Sequence, residues 1–401
     1  MDDLLFILSL SLKLFTLYFA AVAVFTLCRR RKYPRTAPRT KFAVVVAARN
    51  EEAVIGNLVH SVLTQNYPVS LRDIYVVPNN CTDFTEAAAV AAGARIIHCV
   101  GPVSSKGGAL HEVFEQLLPL DYDAFVVFDA DNVLERDYLA RVNDAIAAGA
   151  KVLKTRTRAG NPTASGVAGC YGLYNTCFDL IWNRPRAACG LSAKLVGSGF
   201  AVCREVLEEM GGWNTSTIAE DAEFAAQCAR IGYRVWWVPD AVNYDEEPNS
   251  FMLSLRQRKR WCSGVMQVGK QELRRLWSAD CPKPWLRWDI SMFLMAPFTQ
   301  AISALLLLGG LLSSLASGEE VTAVVAACTG LYYVGGVGLS VLLCLLGGYG
   351  LQGMTRTILL FPVFMASWLP LQIISLFRDT RKWHAIAHNG HAPVTGYRAM
   401  Q

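Results

Sequence analysis

No Cys-x-x-Cys pair occurs in the 401-residue sequence, although it contains 12 cysteines. Cys28, Cys328 and Cys344 lie in apolar runs. The spacing argues against a disulfide framework, and all twelve read as reduced, mostly core residues. A large net charge is also lacking, at +5. The basic residues cluster beside apolar stretches, at Arg29 to Lys32, Arg256 to Arg260 and Arg378 to Lys382. Such clusters fit a membrane surface and exclude nucleic acid as the expected partner. No basic region precedes the first apolar run, which opens on Met1-Asp2-Asp3, so a signal peptide is the weaker reading of it. Low-complexity segments and internal repeats are absent too.

What the sequence has is hydrophobicity, 53% of residues with a mean hydropathy of +0.27, concentrated in a few stretches. Leu4 to Cys28 is long enough to span a bilayer, and the basic cluster after it places the following segment in the cytosol. Further apolar runs fall at Ile290–Ala316, Val321–Leu346 and Thr357–Phe377. Gly309, Gly310, Gly335, Gly336 and Gly338 would let these helices approach closely. Three later crossings would leave the tail outside, yet Arg378, Arg381 and Lys382 favour the inside. The run with Pro362 and Pro370 is therefore expected to be bent or partly inserted. The expected division is a membrane helix with its basic flank (1–32), a cytosolic α/β domain (41–248), amphipathic interfacial helices (249–285), C-terminal membrane helices (286–378) and a basic, histidine-containing tail (379–401).

In the α/β region, Phe42–Ala47, Ile74–Val77 and Ala124–Phe128 are short, Val-rich and continuously apolar. Helical patterns lie between them at Glu52–Thr64 and Thr85–Ala92. This alternation predicts a parallel sheet covered on both faces, with ligands beyond the carboxyl ends of its strands.

Three groups carry chemistry. Asp129 and Asp131 follow the third strand, where two carboxylates can share a hard cation; a polar turn with a helix cap is the plainer reading. Glu220 and Asp221 open a helix, where they either cap it or supply a general base. Gln257, Arg260 and Trp261 share one face of a helix, with Phe251, Leu255, Cys262 and Met266 opposite. That helix is expected to rest its apolar face on lipid, with Arg258 snorkelling. The plainer reading is an ordinary basic interfacial helix. His384, His388 and His391 read as an interfacial tail with no tight metal.

Taken in order, Ala47-Ala48-Arg49-Asn50-Glu51-Glu52, Asn79-Asn80-Cys81-Thr82-Asp83, Asp129-Ala130-Asp131, Glu220-Asp221 and Gln257-Arg258-Lys259-Arg260-Trp261 resemble one family. It is the inverting family-2 glycosyltransferases with a GT-A fold, in the membrane-bound branch of cellulose, chitin and hyaluronan synthases and ceramide glucosyltransferase. The likeness covers Phe42 to Gly264.

The resemblance implies an α/β GT-A domain joined to transmembrane helices in a multi-pass cell-membrane protein. It implies Asp129 and Asp131 at an Mg2+ or Mn2+ ion and at the nucleotide, and Asp221 as general base. Gln257, Arg260 and Trp261 would lie by the diphosphate and the acceptor, with Glu51, Asn79 and Lys106 near the nucleotide. Gly197-Ser198-Gly199 matches the small-residue loop beside the acceptor. Expected partners are a nucleotide-sugar donor, a lipid or glycan acceptor, membrane lipids and, for a wider conduit, a second copy of the chain. Asn79 stands where many relatives carry Asp, which weakens the case for uridine, and Ala219 replaces a Thr. The Trp261 motif tilts the expected product toward a polysaccharide, with a single lipid addition close behind. A transporter and a catalytically inactive nucleotide-binding regulator are the rival classes.

Overall fold

The computed structural model describes residues 2–28, 32–278, 282–318 and 321–380. The histidine cluster and the end of the basic tail lie outside them. Helix α1 (Asp2–Val24) precedes β1 (Phe42–Ala48) in the chain. Then come α2 (Ile55–Leu63), β2 (Arg72–Pro78), α3 (Thr85–Ala91), β3 (Arg95–Ile96), α4 (Lys106–Leu117), β4 (Ala124–Asp129), β5 (Val133–Leu134) and α5 (Tyr138–Ala147). The domain continues with β6 (Val152–Ala159), α6 (Gly166–Phe178), α7 (Arg184–Cys189), β7 (Phe200–Cys203), α8 (Arg204–Glu209), α9 (Glu220–Arg230) and β8 (Val235–Asp245).

The eight strands lie in the order β3-β2-β1-β4-β7-β6-β8-β5. The first four are parallel, as expected from their apolar runs: Phe42 to Val46 and Ala124 to Phe128 are wholly buried, because helices cover both faces. One core holds α2 and α5 against the sheet, and the other holds α4, α8 and α9. The expectation of an all-parallel sheet is corrected by β7, which runs antiparallel to both β4 and β6, and by β5, antiparallel to β8. β7 is four residues long, Phe-Ala-Val-Cys, and is fixed only by its two distant neighbours.

Beyond β8 stand α10 (Phe251–Ser278), α11 (Pro284–Ala316), α12 (Thr322–Gly347), α13 (Thr355–Ala366) and α14 (Trp368–Phe377). Four helical stretches among the described residues are long and apolar enough to cross a membrane: Leu10–Leu27, Pro284–Ala316, Thr322–Gly347 and Gln352–Phe377. The last of them is broken at Ser367 into α13 and α14, as its two prolines suggested. α13 packs on α12 and on α6, and α14 packs on α10 and α11. Gly169 of α6 faces α13 so closely that an added Cβ would lie 2.0 Å from Thr357 Oγ1. Of the five glycines expected at helix contacts, only Gly336 meets a neighbour, Pro362; the other four face open space. The eleven described cysteines are free, as expected.

The lipid-facing reading of α10 is also corrected. Cys262 and Met266 are buried against protein, and Arg258 does not snorkel but is 0% exposed. α10 is a seam helix packed on α9, α11 and α14, with Phe251 and Leu255 of the same face half-buried.

Candidate active site

Strands β1 and β2 end side by side, and the loops after them interlock. Asn50 and Asn80 adopt left-handed backbone at φ 60 and 53, a conformation that Asn tolerates better than most residues. The Asn50 carboxamide accepts from the Thr82 backbone N–H at 2.8 Å and donates to Thr82 Oγ1 at 3.1 Å. The Glu51 N–H donates to Thr85 Oγ1 at 2.7 Å, and Glu52 Oε2 accepts from the Phe84 N–H at 2.9 Å. Asn79 Oδ1 accepts from Asn80 Nδ2 at 2.9 Å. Burial, then the charges of Asp131 and Asp129, push the Glu51 carboxyl up to about 9.

Asp129 closes β4, and its N–H donates to Ser198 Oγ at 3.1 Å. Asp131 Oδ1 accepts from Asn132 Nδ2 at 3.1 Å. Lys106 begins α4 after Ser105, whose Oγ caps the helix by accepting from the Gly108 N–H. Lys106 Nζ donates to Asp129 Oδ1 and to the Gly197 carbonyl, and lies 3.8 Å from Glu220 Oε1. A Cβ on Gly197 would stand 3.5 Å from Lys106 Nζ, 3.6 Å from Glu220 Oε1 and 3.8 Å from Asp221 Oδ2. One ammonium and two carboxylates thus converge on a single spot at the carboxyl edge of the sheet. Asp221 Oδ1 accepts from the Ala222 N–H at 2.7 Å at the start of α9. Burial raises its carboxyl above the ordinary value, opposed by that N–H, Lys194 and Lys106. Burial lifts Glu220 to about 7 against the pull of Lys106.

Several neighbours escaped the sequence reading. Lys154 of β6 is buried among acids; desolvation lowers it to about 8, while Asp245, Asp179, Asp221 and Asp129 oppose the shift. Its Nζ donates to Thr157 Oγ1 and the Ser198 carbonyl, both at 2.8 Å. Asp245 and Glu247 are pushed well above their ordinary values, first by burial and next by Asp131 and Asp245 respectively. Lys154-Thr-Arg156-Thr-Arg158 alternates with the strand period, and Asp245-Glu246-Glu247 ends β8; these were the available signals. Gly199 has φ +63 and abuts Asn243 Oδ1, where any side chain would collide.

Gln257 and Trp261 sit on α10, away from the Lys106 convergence. Tyr171 Oη donates to Gln257 Oε1 at 2.7 Å, and Trp261 lies edge-on to Tyr171 and stacks on Trp368. Arg260 is half-buried on the same helix, and among the described residues no ion pair joins it to the acids. α10 nevertheless meets the segment before α9: a Cβ on Gly264 would lie 2.7 Å from Ala219 Cβ. A small residue two positions before Asp221 fits that contact, which accounts for Ala where Thr was expected.

A divalent metal fits the donor set in one respect. The Asp129 carboxylate already attracts a cation, the Lys106 ammonium, and its neighbours Glu51 and Asp131 are oxygen donors. Among the described residues, no three His, Cys, Asp or Glu side chains converge as a cage. Two carboxylates completed by phosphate oxygens and water suit Mg2+ or Mn2+, and not zinc.

The sequence profile described as "Glycosyltransferase like family 2" matches residues 38–264. Beta-monoglucosyldiacylglycerol synthase of Synechocystis sp. is 30% identical over 289 residues, which is 68% of this chain and 58% of that protein. The chain therefore spans little more than half of that relative's length. Putative cellulose synthase 2 of Komagataeibacter xylinus is 24% identical over 324 residues, 74% of this chain and 20% of that one. Among solved structures, mannosyltransferase PcManGT from Pyrobaculum calidifontis, in complex with GDP-Man and Mn2+, superposes with a TM-score of 0.66 at 20% identity. The superposition covers 92% of this chain and 98% of the other, a likeness of fold.

Proposed function

The chain belongs to glycosyltransferase family 2 and has its GT-A fold with apolar helices appended, and on that premise we propose that it transfers one sugar from a nucleotide-sugar to a membrane acceptor, inverting the anomeric carbon. The observation that carries the reading is the convergence of Lys106, Glu220 and Asp221 around Gly197, beside Asp129. Asp221, held by the Ala222 N–H, takes the proton of the acceptor hydroxyl as that oxygen attacks the anomeric carbon. The bond from that carbon to the diphosphate oxygen breaks, and Lys106 stabilises the departing diphosphate. Asp129 and Asp131 would hold the divalent metal, which supplies further charge neutralisation when bound. Glu51 and the Asn79 loop border the nucleotide.

A lipid hydroxyl is the preferred acceptor. The 30%-identical relative is named for a diacylglycerol product. On α11 the hydroxyls of Thr299 and Ser303, which could otherwise line a conduit for a growing glycan, are spent on carbonyls of their own helix at 2.9 and 2.7 Å. The Gln257-to-Trp261 motif and the cellulose-synthase likeness favour a polymer as the second reading. In the proposed topology the catalytic domain is cytosolic, and α1, α11 and α12 cross the membrane. α13 and α14 form a re-entrant pair: Asp379 meets Lys270 at 3.2 Å, and the Thr380 N–H donates to Ser263 Oγ at 2.7 Å, returning the chain to α10. With this topology the parity of the spans would leave the tail inside.

The test is a screen of UDP- and GDP-sugars with Mn2+ and diacylglycerol in mixed micelles, with products sized. A single glycolipid at every donor excess is expected, and Asp221→Asn should lower its formation about 10²- to 10⁴-fold. No turnover of any donor by wild type, or an equally active Asp221→Asn, would sink the reading. A high-mass ladder would shift it to the polymer.

A further inference from the structure

The most deeply buried cation of the helical region is one that the proposed mechanism leaves unused. Arg258 is 0% exposed on α10, between Gln257 and Trp261 in sequence and one turn before Trp261 on the helix. Its Nη1 donates to the Phe364 carbonyl and to Ser367 Oγ, both at 2.8 Å. Its guanidinium carbon lies 4.0 Å from the centre of the Phe364 ring. Those partners stand at the break between α13 and α14, where the i to i+4 ladder is interrupted. Buried carbonyls at such breaks need a donor. Burying a guanidinium is costly unless its donors are engaged; Nη1 and Nε of Arg258 are engaged while Nη2 is buried without a hydrogen-bond partner, so the cation is held by its contacts to both elements.

Two consequences reach the motif residues. Trp368, the first residue of α14, lies between Trp261 and Tyr174, with ring centres 6.3 and 5.5 Å away and interplanar angles of 25° and 21°. On its other side Arg258 Nε donates to Ser254 Oγ at 3.1 Å; Ser254 Oγ is 3.1 Å from Tyr171 Oη, which donates to Gln257 Oε1 at 2.7 Å. A single buried arginine is therefore joined to Trp261 through the helix break and to Gln257 through Ser254 and Tyr171.

We propose that Arg258 is a positioning residue for the acceptor side of the site: it pins the broken helix pair so that Trp368 and Tyr171 hold Trp261 and Gln257 in working orientation. The inference rests on the reading of Trp261 as an acceptor-side residue. It assigns the re-entrant pair a part in acceptor binding beyond anchorage. Lysine at 258 would keep the charge but not the planar fork that spans Phe364, Ser367 and Ser254 together.

The experiment measures the KM for diacylglycerol in mixed micelles, kcat, donor affinity by isothermal titration and the melting temperature. Four proteins are compared: Trp261→Ala, Arg258→Lys, Ser367→Ala and the Trp261→Ala/Arg258→Lys double variant. Arg258→Lys should raise the acceptor KM about tenfold, the effect of one lost charge-assisted hydrogen bond, with donor affinity unchanged. Ser367→Ala, which spares the fold, should raise it about threefold. The double variant should be no worse than Trp261→Ala alone, since the arginine acts through the tryptophan. An unchanged acceptor KM in folded Ser367→Ala and Arg258→Lys, or full additivity in the double variant, would overturn the proposal. If Arg258→Lys does not fold, Ser367→Ala decides alone. If Trp261→Ala itself leaves the acceptor KM unchanged, the acceptor-side reading of the site fails instead.

Discussion

At the carboxyl edge of the sheet many acids share two lysines, Lys106 and Lys154, whereas in the helical seam Arg186, Asp289 and Glu272 each meet an ion-pair partner. Glu51, Asp245 and Glu247 are raised first by burial and then by neighbouring carboxylates, with Asp131 acting on all three. In the seam, Arg186 and Asp289 are 1% and 2% exposed and 3.2 Å apart, with Tyr18 Oη donating to Asp289 Oδ1 at 2.7 Å. Glu272, wholly buried, meets Arg275 at 2.7 Å and Arg230 at 3.7 Å. Folding tolerates repulsion where a ligand of opposite charge uses it, and removes it where only packing is at stake. The contrast fits the proposed function of the first region as a binding site and of the second as the joint that docks it to the apolar helices.

The largest break of the comparison is Asp131→Asn. Removing a proposed metal carboxylate should cut transfer about 10²- to 10³-fold while the melting temperature holds or rises, because a repelling charge is gone. Loss of fold instead of activity would place Asp131 with the seam.

Arg186→Met is the converse. Leaving Asp289 buried without its guanidinium should cost about 3–5 kcal/mol of stability, read by denaturation in detergent. The double change Arg186→Met/Asp289→Leu should recover most of it. A double variant as unstable as the single one would mean that the pair itself is not the source.

The smallest effect is in pH. Glu51 has an ordinary value of 4.5 and about 9 in the folded chain, so the folded state binds more protons between those values. Its contribution is fully present below 4.5 and is lost as pH rises toward 9. Melting curves should show this decline, flatter in Glu51→Gln, and Mn2+ should raise the melting temperature more at pH 8 than at pH 5. Equal shifts by Mn2+ at both pH values would detach the metal from the acid cluster.

Legibility differed between the same two regions. Strands β1, β2 and β4 were readable from continuous apolar runs, whereas Asp129, Asp131 and Asp221 stood out only through the family resemblance, since their places at strand and helix ends suit caps equally well. Lys154 was not readable, because a lysine in a strand looks solvent-exposed until the distant Ser198–Gly199 loop brings its carbonyls to the ammonium. Arg258 was read as snorkelling because helical periodicity reveals a face but not what covers it.

The sequence by itself determined the local elements, the four apolar stretches and the residue types able to bind a diphosphate, because these depend on neighbours within a turn or a strand. Tertiary structure alone decided the antiparallel insertion of β7, the burial of Lys154 and Arg258 and the return of α14 to α10. Each of these joins residues far apart in the chain: Arg258 and Ser367 are separated by 109 positions. No local period records which distant surface will exclude water from a charge.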